Sequence, residues 1–329
     1  MPLAEKALIE RIRRAARTRL VPHSRARPSA VRLGIGDDCA ILALPSGHET
    51  LVTTDLSIEG VHFRREWHPP ESVGHRCLAR GLSDIAAMGG EPLAAFVCLA
   101  VPASLPQKWV DGFYKGLLAL ARKSGVELAG GDIAESPHGI AADIVVVGHV
   151  PAGKAVRRSG AHAGDSIYVT GELGRSAAIL HQLESGKGVG SPRAKAVAAH
   201  FFPAPHISVG RELRRRGLAS AMIDLSDGLS TDLAHICTES RVAALVAEHS
   251  IPRPSTPGTS TLHFALHGGE DYELLFAVPG SRTLPPKIAG VRVTRIGEII
   301  RGRGMWLTDS HGQRKALGPR GWEHFRRSE

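Results

Sequence analysis

The stretch Ala221-Met222-Ile223-Asp224-Leu225-Ser226-Asp227-Gly228 runs as a short apolar strand into two carboxylates, a hydroxyl and a glycine, and helical apolar spacing follows from Ser230 to Glu239. A strand that delivers acids and a glycine to its end, with a helix behind it, is a building unit of an α/β chain. The same arrangement recurs at Gly36-Asp37-Asp38, Thr53-Thr54-Asp55, Gly130-Gly131-Asp132 and Gly268-Gly269-Glu270-Asp271. Ser83-Asp84 sets a further carboxylate among helically spaced apolar residues.

Outward from these segments the chain alternates strands and helices. A helix is predicted to about Leu20, a strand, turn and strand over 31–42, a buried strand over 51–55 and a helix over 71–88. Strands over 93–101, 126–130 and 140–150 flank a helix over 107–123. Small, polar and basic residues from Pro151 to Gly164 break this rhythm and mark a domain boundary. Strands then follow over 166–170, 221–225, 274–278 and 291–299, with helices over 176–183, 208–216 and 230–239, and loops at 186–192 and 252–258. The fold class is α/β (α+β): two domains, residues 1–150 and 151–329, each a mixed sheet with helices packed on it.

Composition narrows the function. No run of about 18 apolar residues offers a membrane span. Cys39, Cys77, Cys98 and Cys237 have neither zinc-site spacing nor a secreted disulfide pattern, which points to a reducing cytoplasm. The segment from Met1 to Arg19 lacks an apolar block with a cleavage site and reads as an amphipathic helix. The net charge of +9 raises a nucleic-acid reading, yet the basic clusters are short, separated and free of interleaved aromatics. A solvated basic surface with no nucleic-acid partner is the reading they support.

Several carboxylates beside buried strands repel one another unless cations or hydrogen-bond donors offset them. Carboxylate and hydroxyl oxygens suit magnesium, which shares carboxylates with bound phosphates, while glycines let backbone amides approach an anion. A metal-bridged nucleotide polyphosphate fits this combination. Gly186-Lys187 lacks the upstream glycine and the Ser or Thr of a phosphate-binding loop, and the Gly34–Gly36 turn lacks the third glycine of a dinucleotide fingerprint. Protein-kinase motifs, a nucleophile elbow and paired metal-binding histidines are also missing.

At these residues the chain resembles the thiamine-monophosphate kinase family, within the aminoimidazole-ribonucleotide-synthetase-like proteins. The strings GIGDDCAIL from Gly34, TTDLSIEGVHF from Thr53, LSDIAAMGG from Leu82, AGGD from Ala129, RRSGAHAGDSIYVTG from Arg157, MIDLSDGL from Met222 and GGEDYELLF from Gly268 carry it. They stand in the family's order across nearly the whole chain. The resemblance implies a homodimer formed through the N-terminal domain and a C-terminal domain closing over nucleotide. It implies that Asp38, Thr53, Thr54, Asp55, Asp84, Asp132, Asp224 and Asp227 hold several Mg2+ ions around the phosphates of ATP, with Asp37 ranked below them. Gly131, Asp132, Ser226 and Arg158 would contact ATP, with Tyr114 near its base. Asp84, Asp224 and Arg158 would carry the catalytic electrostatics. His62, Glu270 and Trp322 would line the pocket for thiamine monophosphate, whose heterocycle is cationic.

The chemistry implied is in-line attack by the acceptor's phosphate oxygen on the γ-phosphorus of ATP. That nucleophile is already ionised near neutral pH, so no general base is needed. The alternative is another ATP-dependent member of the superfamily that activates an amide or similar acceptor. The strings around His62 and Glu270 favour the thiamine enzyme.

Overall fold

The computed structural model describes residues 1–17, 30–195, 197–254 and 261–325. Two compact units divide the chain: Met1–Ile85 with Gly90–Gly153, and Ala86–Gly89 with Lys154–Glu329. The sequence boundary after residue 150 and this division after Gly153 differ by a few residues, and the division also assigns the end of one helix to the second unit.

The first unit opens with α1 (Glu5–Arg17) and an antiparallel pair, β1 (Val31–Leu33) and β2 (Ile41–Leu42). Then come β3 (His48–Ile58), α2 (Pro70–Ala87), β4 (Glu91–Val101), α3 (Gln107–Ser124), β5 (Glu127–Glu135) and β6 (Ala141–Pro151). The helix read to Leu20 is described only to Arg17, and residues 18–20 lie outside the described residues. The sheet order is β3-β6-β4-β5, antiparallel except for β4 with β5. That parallel pair requires a crossover, which α3 supplies.

Alternation sorts the two sheet faces. Ala142, Ile144 and Val146 of β6 are wholly buried, and Val146 packs against α2 at Gly81. Val52, Leu56 and Ile58 of β3 point to the other face and are 63%, 46% and 36% exposed. Helices α2 and α3 meet backbone to backbone: a methyl at Gly74 would strike the Phe113 carbonyl, and one at Gly116 the Glu71 carbonyl. α3 ends where Gly125 turns left-handed at φ 70° and the Val126 amide donates to the Ala121 carbonyl at 3.0 Å.

In the second unit the order is β7 (Ser166–Thr170), α4 (Arg175–Glu184), α5 (Ala198–Phe201), α6 (Ile207–Arg215), β8 (Ala221–Asp224), α7 (Leu229–Ser240) and β9 (Ala243–Ala247). It continues with α8 (Thr261–His267), β10 (Leu274–Val278), β11 (Lys287–Ile288), β12 (Val291–Ile300), β13 (Met305–Thr308) and β14 (Arg314–Ala316). The strands run β14-β13-β9-β12-β7-β10-β8, with β11 on β12, and only β13 with β9 is parallel. Neighbouring residues feed opposite faces: Ile223 packs with Leu233 and Ile236 of α7, whereas Met222 packs with Val209 and Leu213 of α6. The sequence expectations omit α5, β9, α8, β11, β13 and β14, and residues 255–258 of the expected 252–258 loop lie outside the described residues.

The α2–α3 crossing gives a direct test. Gly116→Ala must push two backbones apart, and the overpacking cost of about 1–3 kcal/mol is expected as a drop of several degrees in thermal melting.

Candidate active site

Within the first unit, a cavity of about 990 Å³ lies between the β1–β2 turn, β5 and α1. Helix α1 forms part of its wall because Leu8 is buried and Arg11 clasps Asp111 of α3 through two hydrogen bonds of 2.6 and 2.8 Å. Ile9 and Ile12 of α1, Phe96 of β4 and Tyr114 of α3 give it an apolar side; Asp37, Asp38 and Asp132 give it an acidic one. Tyr114 is 5% exposed, and burial raises its phenol pKa above the ordinary value, so it stays neutral. Gly131 sits at φ 141° with its α-carbon against the Val97 carbonyl, where no side chain fits. The Asp37 carboxylate accepts the Asp38 amide at 2.9 Å, the work of a turn residue, and Asp132 accepts the Ile133 amide at 2.8 Å. Asp38, Tyr114, Gly131 and Asp132 therefore share one cavity.

A second group lies along the seam of β3 and α2. Thr53 donates its hydroxyl to Asp84 in a short hydrogen bond, and Asp55 Oδ1 lies 3.0 Å from Nε of Arg80. The period of two along β3 puts Thr53 and Asp55 on this face and turns Thr54 to the Val52 and Leu56 face. There Thr54 stands opposite Val145 of β6, while Asp132 stands opposite Cys98 of β4 at the far edge of the sheet. Three strand spacings, roughly 14 Å, separate Thr54 from Asp132, too far for both to bind one magnesium ion in a single chain. His62 follows β3 in a turn, where the Ile58 amide donates to Nδ1 at 3.0 Å. An amide can only donate, so in the neutral ring the proton sits on Nε2.

The second unit gathers a third group. Asp224 ends β8 at 4% exposure, and the next residues lace into the 269–273 segment: Leu225 N donates to Glu273 O, Tyr272 N to Leu225 O and Glu270 N to Ser226 O, at 2.8–2.9 Å. Glu270 and Tyr272 are left-handed non-glycine residues at φ 65° and 53°. The chain end docks on the same loop, since the Trp322 amide donates to the Asp227 carbonyl at 3.1 Å and Gly321 to Thr231 Oγ1 at 3.0 Å. Asp224, Ser226, Asp227, Glu270 and Trp322 are thus neighbours, with the indole half exposed. Arg158 is exposed; its carbonyl accepts the Ser240 hydroxyl at 3.0 Å, and the preceding Arg157 carbonyl accepts the Met222 amide at the start of β8.

Four residues have no role assigned from the sequence: Asp232, His235, Arg80 and Asp271, the last quoted only as an acid of a recurring string. Asp232, buried in the first turns of α7, accepts the Asp227 and Gly228 amides at 3.2 and 3.0 Å. Burial, and then the charges of Asp224 and Asp227, hold its pKa well above the ordinary value. Asp227, Asp232 and His235 present ligand atoms within 4.8 Å of one another. Arg80 and Asp271 are the others; the i, i+4 spacing of Arg80 and Asp84 on one helix was the available signal for Arg80. The donors at all three places are carboxylate and hydroxyl oxygens with a single histidine, a set that fits a hard divalent cation.

Two family models match the chain: the AIR synthase related protein N-terminal domain over residues 36–150 and its C-terminal domain over 162–308. Among curated proteins, the thiamine-monophosphate kinase of Salmonella typhimurium is 38% identical over 281 residues, covering 82% of this chain and 84% of its own. The Bacillus subtilis thiamine-monophosphate kinase is 33% identical over 318 residues, covering 91% and 95%. Among solved structures, the thiamine-monophosphate kinase of Stenotrophomonas maltophilia K279a superposes with a TM-score of 0.79 at 33% identity, covering 93% of this chain and 97% of that one. AaThiL complexed with AMPPCP and TMP gives 0.77 at 32%, covering 86% and 89%. The chain belongs to the AIR synthase related family and, within it, to the thiamine-monophosphate kinases.

Asp271 anchors the loop that carries Glu270. Its carboxylate accepts the Ser176 amide at 3.2 Å and the Gly174 amide at 2.5 Å, bracketing the start of α4. Burial, with a further push from Glu273 and opposed by the two amides and Arg175, raises its pKa to about 7. Because the folded value lies above the unfolded one, the folded state binds the extra proton between about pH 4 and pH 7, and stability falls as pH rises through that window. Asp271→Asn removes this titration, so its melting temperature relative to the parent protein should rise steadily from pH 4 to pH 7. A difference that stays flat across those pH values would refute the assignment.

Proposed function

We propose that this chain transfers the γ-phosphoryl group of ATP to the phosphate of thiamine monophosphate, giving thiamine diphosphate. The observation that carries the reading is the clustering of Glu270 and Trp322, the acceptor-side residues, on the loop that bears Asp224, Ser226 and Asp227. The related AaThiL was solved with an ATP analogue and TMP together, which supports the same pair of substrates here. The alternative chemistry on an amide acceptor has no such support.

In this reading the apolar side of the first-unit cavity, with Tyr114 and Phe96, takes the base, and the Gly130–Gly131 backbone admits the phosphates beside Asp38 and Asp132. Asp38, Thr53, Asp55, Asp84, Asp132, Asp224 and Asp227 would hold Mg2+, which offsets the repulsion between two phosphate anions. Arg158 would contribute charge to the transferring group, and His62 would offer its Nε2 proton to the acceptor. Trp322 would stack on the cationic heterocycle and Glu270 would pair with it. We place the reaction in the cytoplasm, in keeping with four free cysteines.

The exposed Val52, Leu56 and Ile58 face fits a second copy of the chain, which would make a homodimer. A two-fold axis parallel to the strands sets β3 of one copy opposite β5 of its partner. That arrangement would bring Thr54 of one chain toward the partner subunit's Asp132 and resolve their separation within a chain. Leu56→Lys is expected to halve the mass seen by light scattering, and an unchanged mass would remove this interface. Mixing inactive Thr54→Ala and Asp132→Asn chains should restore about a quarter of parental turnover if the site is shared, since half the dimers are mixed and each holds one intact site.

The catalytic reading is tested by incubating protein, ATP, MgCl2 and thiamine monophosphate and identifying both products. Thiamine diphosphate with ADP is the expected outcome, and folded, ATP-binding protein that forms none would overturn it. Asp84→Asn should cut turnover by about 10²–10³-fold, the scale for losing one preorganised electrostatic group, while metal-free stability stays level or rises. Glu270→Ala should weaken use of thiamine monophosphate far more than binding of ATP, read as separate KM and Kd values.

A further inference from the structure

The β3–α2 seam carries a positive charge of its own. Arg80 stands one helical turn before Asp84 on α2, with Nε 3.0 Å from Asp55 Oδ1 and Nη1 3.4 Å from the Ser57 hydroxyl. Its side chain is 14% exposed and that of Asp55 26%, so water screens the pair only partly. Beneath it Cys77 is fully buried, and burial pushes that thiol up to about 12, marking the dryness of the floor. Asp84, on the same helix face, receives the Thr53 hydroxyl. Two carboxylates in this setting need a cation in the metal-free protein, and Arg80 is placed to serve as one.

We propose that Arg80 is a resident counter-cation that shares Asp55 with the bound metal, so that its guanidinium charge sets the magnesium concentration at which the seam fills. This rests on the reading that Asp55 and Asp84 hold Mg2+. A fixed guanidinium beside Asp55 stabilises the carboxylates when metal is absent and repels a dication when it arrives. Arg80 is a positioning residue in this account and need not touch either substrate. The arrangement keeps the metal-free fold intact and raises the magnesium requirement in the same stroke.

The experiment follows thermal melting of the full-length parent protein, Arg80→Lys, Arg80→Gln and Arg80→Met during titration with MgCl2, with and without AMPPCP. Arg80→Gln and Arg80→Met should melt lower than the parent without metal and reach half of their magnesium-induced stabilisation at roughly several-fold lower MgCl2. Arg80→Lys, which keeps the charge, should stay near the parent midpoint. A residue that merely packs would lower all melting temperatures and leave the midpoints alone, and that result would overturn the proposal, as would midpoints that rise. Should one neutral variant fail to fold, the other decides. Absence of any magnesium-induced stabilisation in the parent protein would instead bring down the metal reading itself, and this proposal with it.

Discussion

Carboxylates crowded on and beside packed strands and helices repel each other, and the candidate site is organised around that repulsion. Six of these acids are matched to donors of three kinds. Asp37, Asp132, Asp232 and Asp271 accept backbone amides, Asp84 takes a hydroxyl and Asp55 faces a guanidinium. Amides and hydroxyls hold a carboxylate in place without cancelling its charge, so net negative potential survives for a cation to use. Asp232 and Asp271 show what the arrangement costs: desolvation makes both bind protons more readily than an ordinary aspartate.

Close backbone approach is the second device, and it serves the first. The Gly74 and Gly116 contacts bring α2 and α3 together, which fixes α2 behind β3 and thereby sets Asp84 against Thr53. Gly131 lets β5 pass against the Val97 carbonyl while still presenting Asp132 to the cavity. In the second unit Gly321 lies against the Asp227 carbonyl, so the chain end can bring Trp322 to the acid-bearing loop. Larger side chains at these positions would move a functional group rather than merely loosen a core.

Much of this was legible in the sequence where apolar period and turn chemistry agreed. Ser166–Thr170 and Leu274–Val278 have the bounds that reading predicts, and Asp37–Asp38 and Asp224–Asp227 lie where strands end, whereas Thr53–Asp55 and Gly130–Asp132 sit inside β3 and β5, which run on past the acids because their ladders to neighbouring strands continue. What escaped did so for definable reasons. The strand Ala243–Ala247 is short, alanine-rich and only one residue removed from a helix-ending turn at Arg241, so its local signal is weak. Thr261–His267 spans only two turns, too short for a helical apolar period to register. The faces of Thr53, Thr54 and Asp55 follow from the strand period alone, yet grouping them in one string as ligands conceals that Thr54 points away. Asp271 depends on amides 95 and 97 residues distant in sequence, which no local pattern displays, and for Arg80 the i, i+4 spacing to Asp84 marks a shared helix face without disclosing Asp55, 25 residues away.

The left-handed backbone at Glu270 and Tyr272 bears on how the proposed acceptor site can diversify. Glycine, asparagine and aspartate occupy that region at little cost, whereas valine, isoleucine and threonine are strained there whatever room their side chains find. Tyr272 is also 2% exposed, which confines it further to residues that fill the same volume. Chemical novelty at this position of the site is therefore channelled through the length and charge of residue 270, among few side chains. A lineage drifting toward a different acceptor would reach it sooner by altering the docked segment at Gly321 and Trp322, whose main-chain amides hold it in place whatever side chain stands at 322.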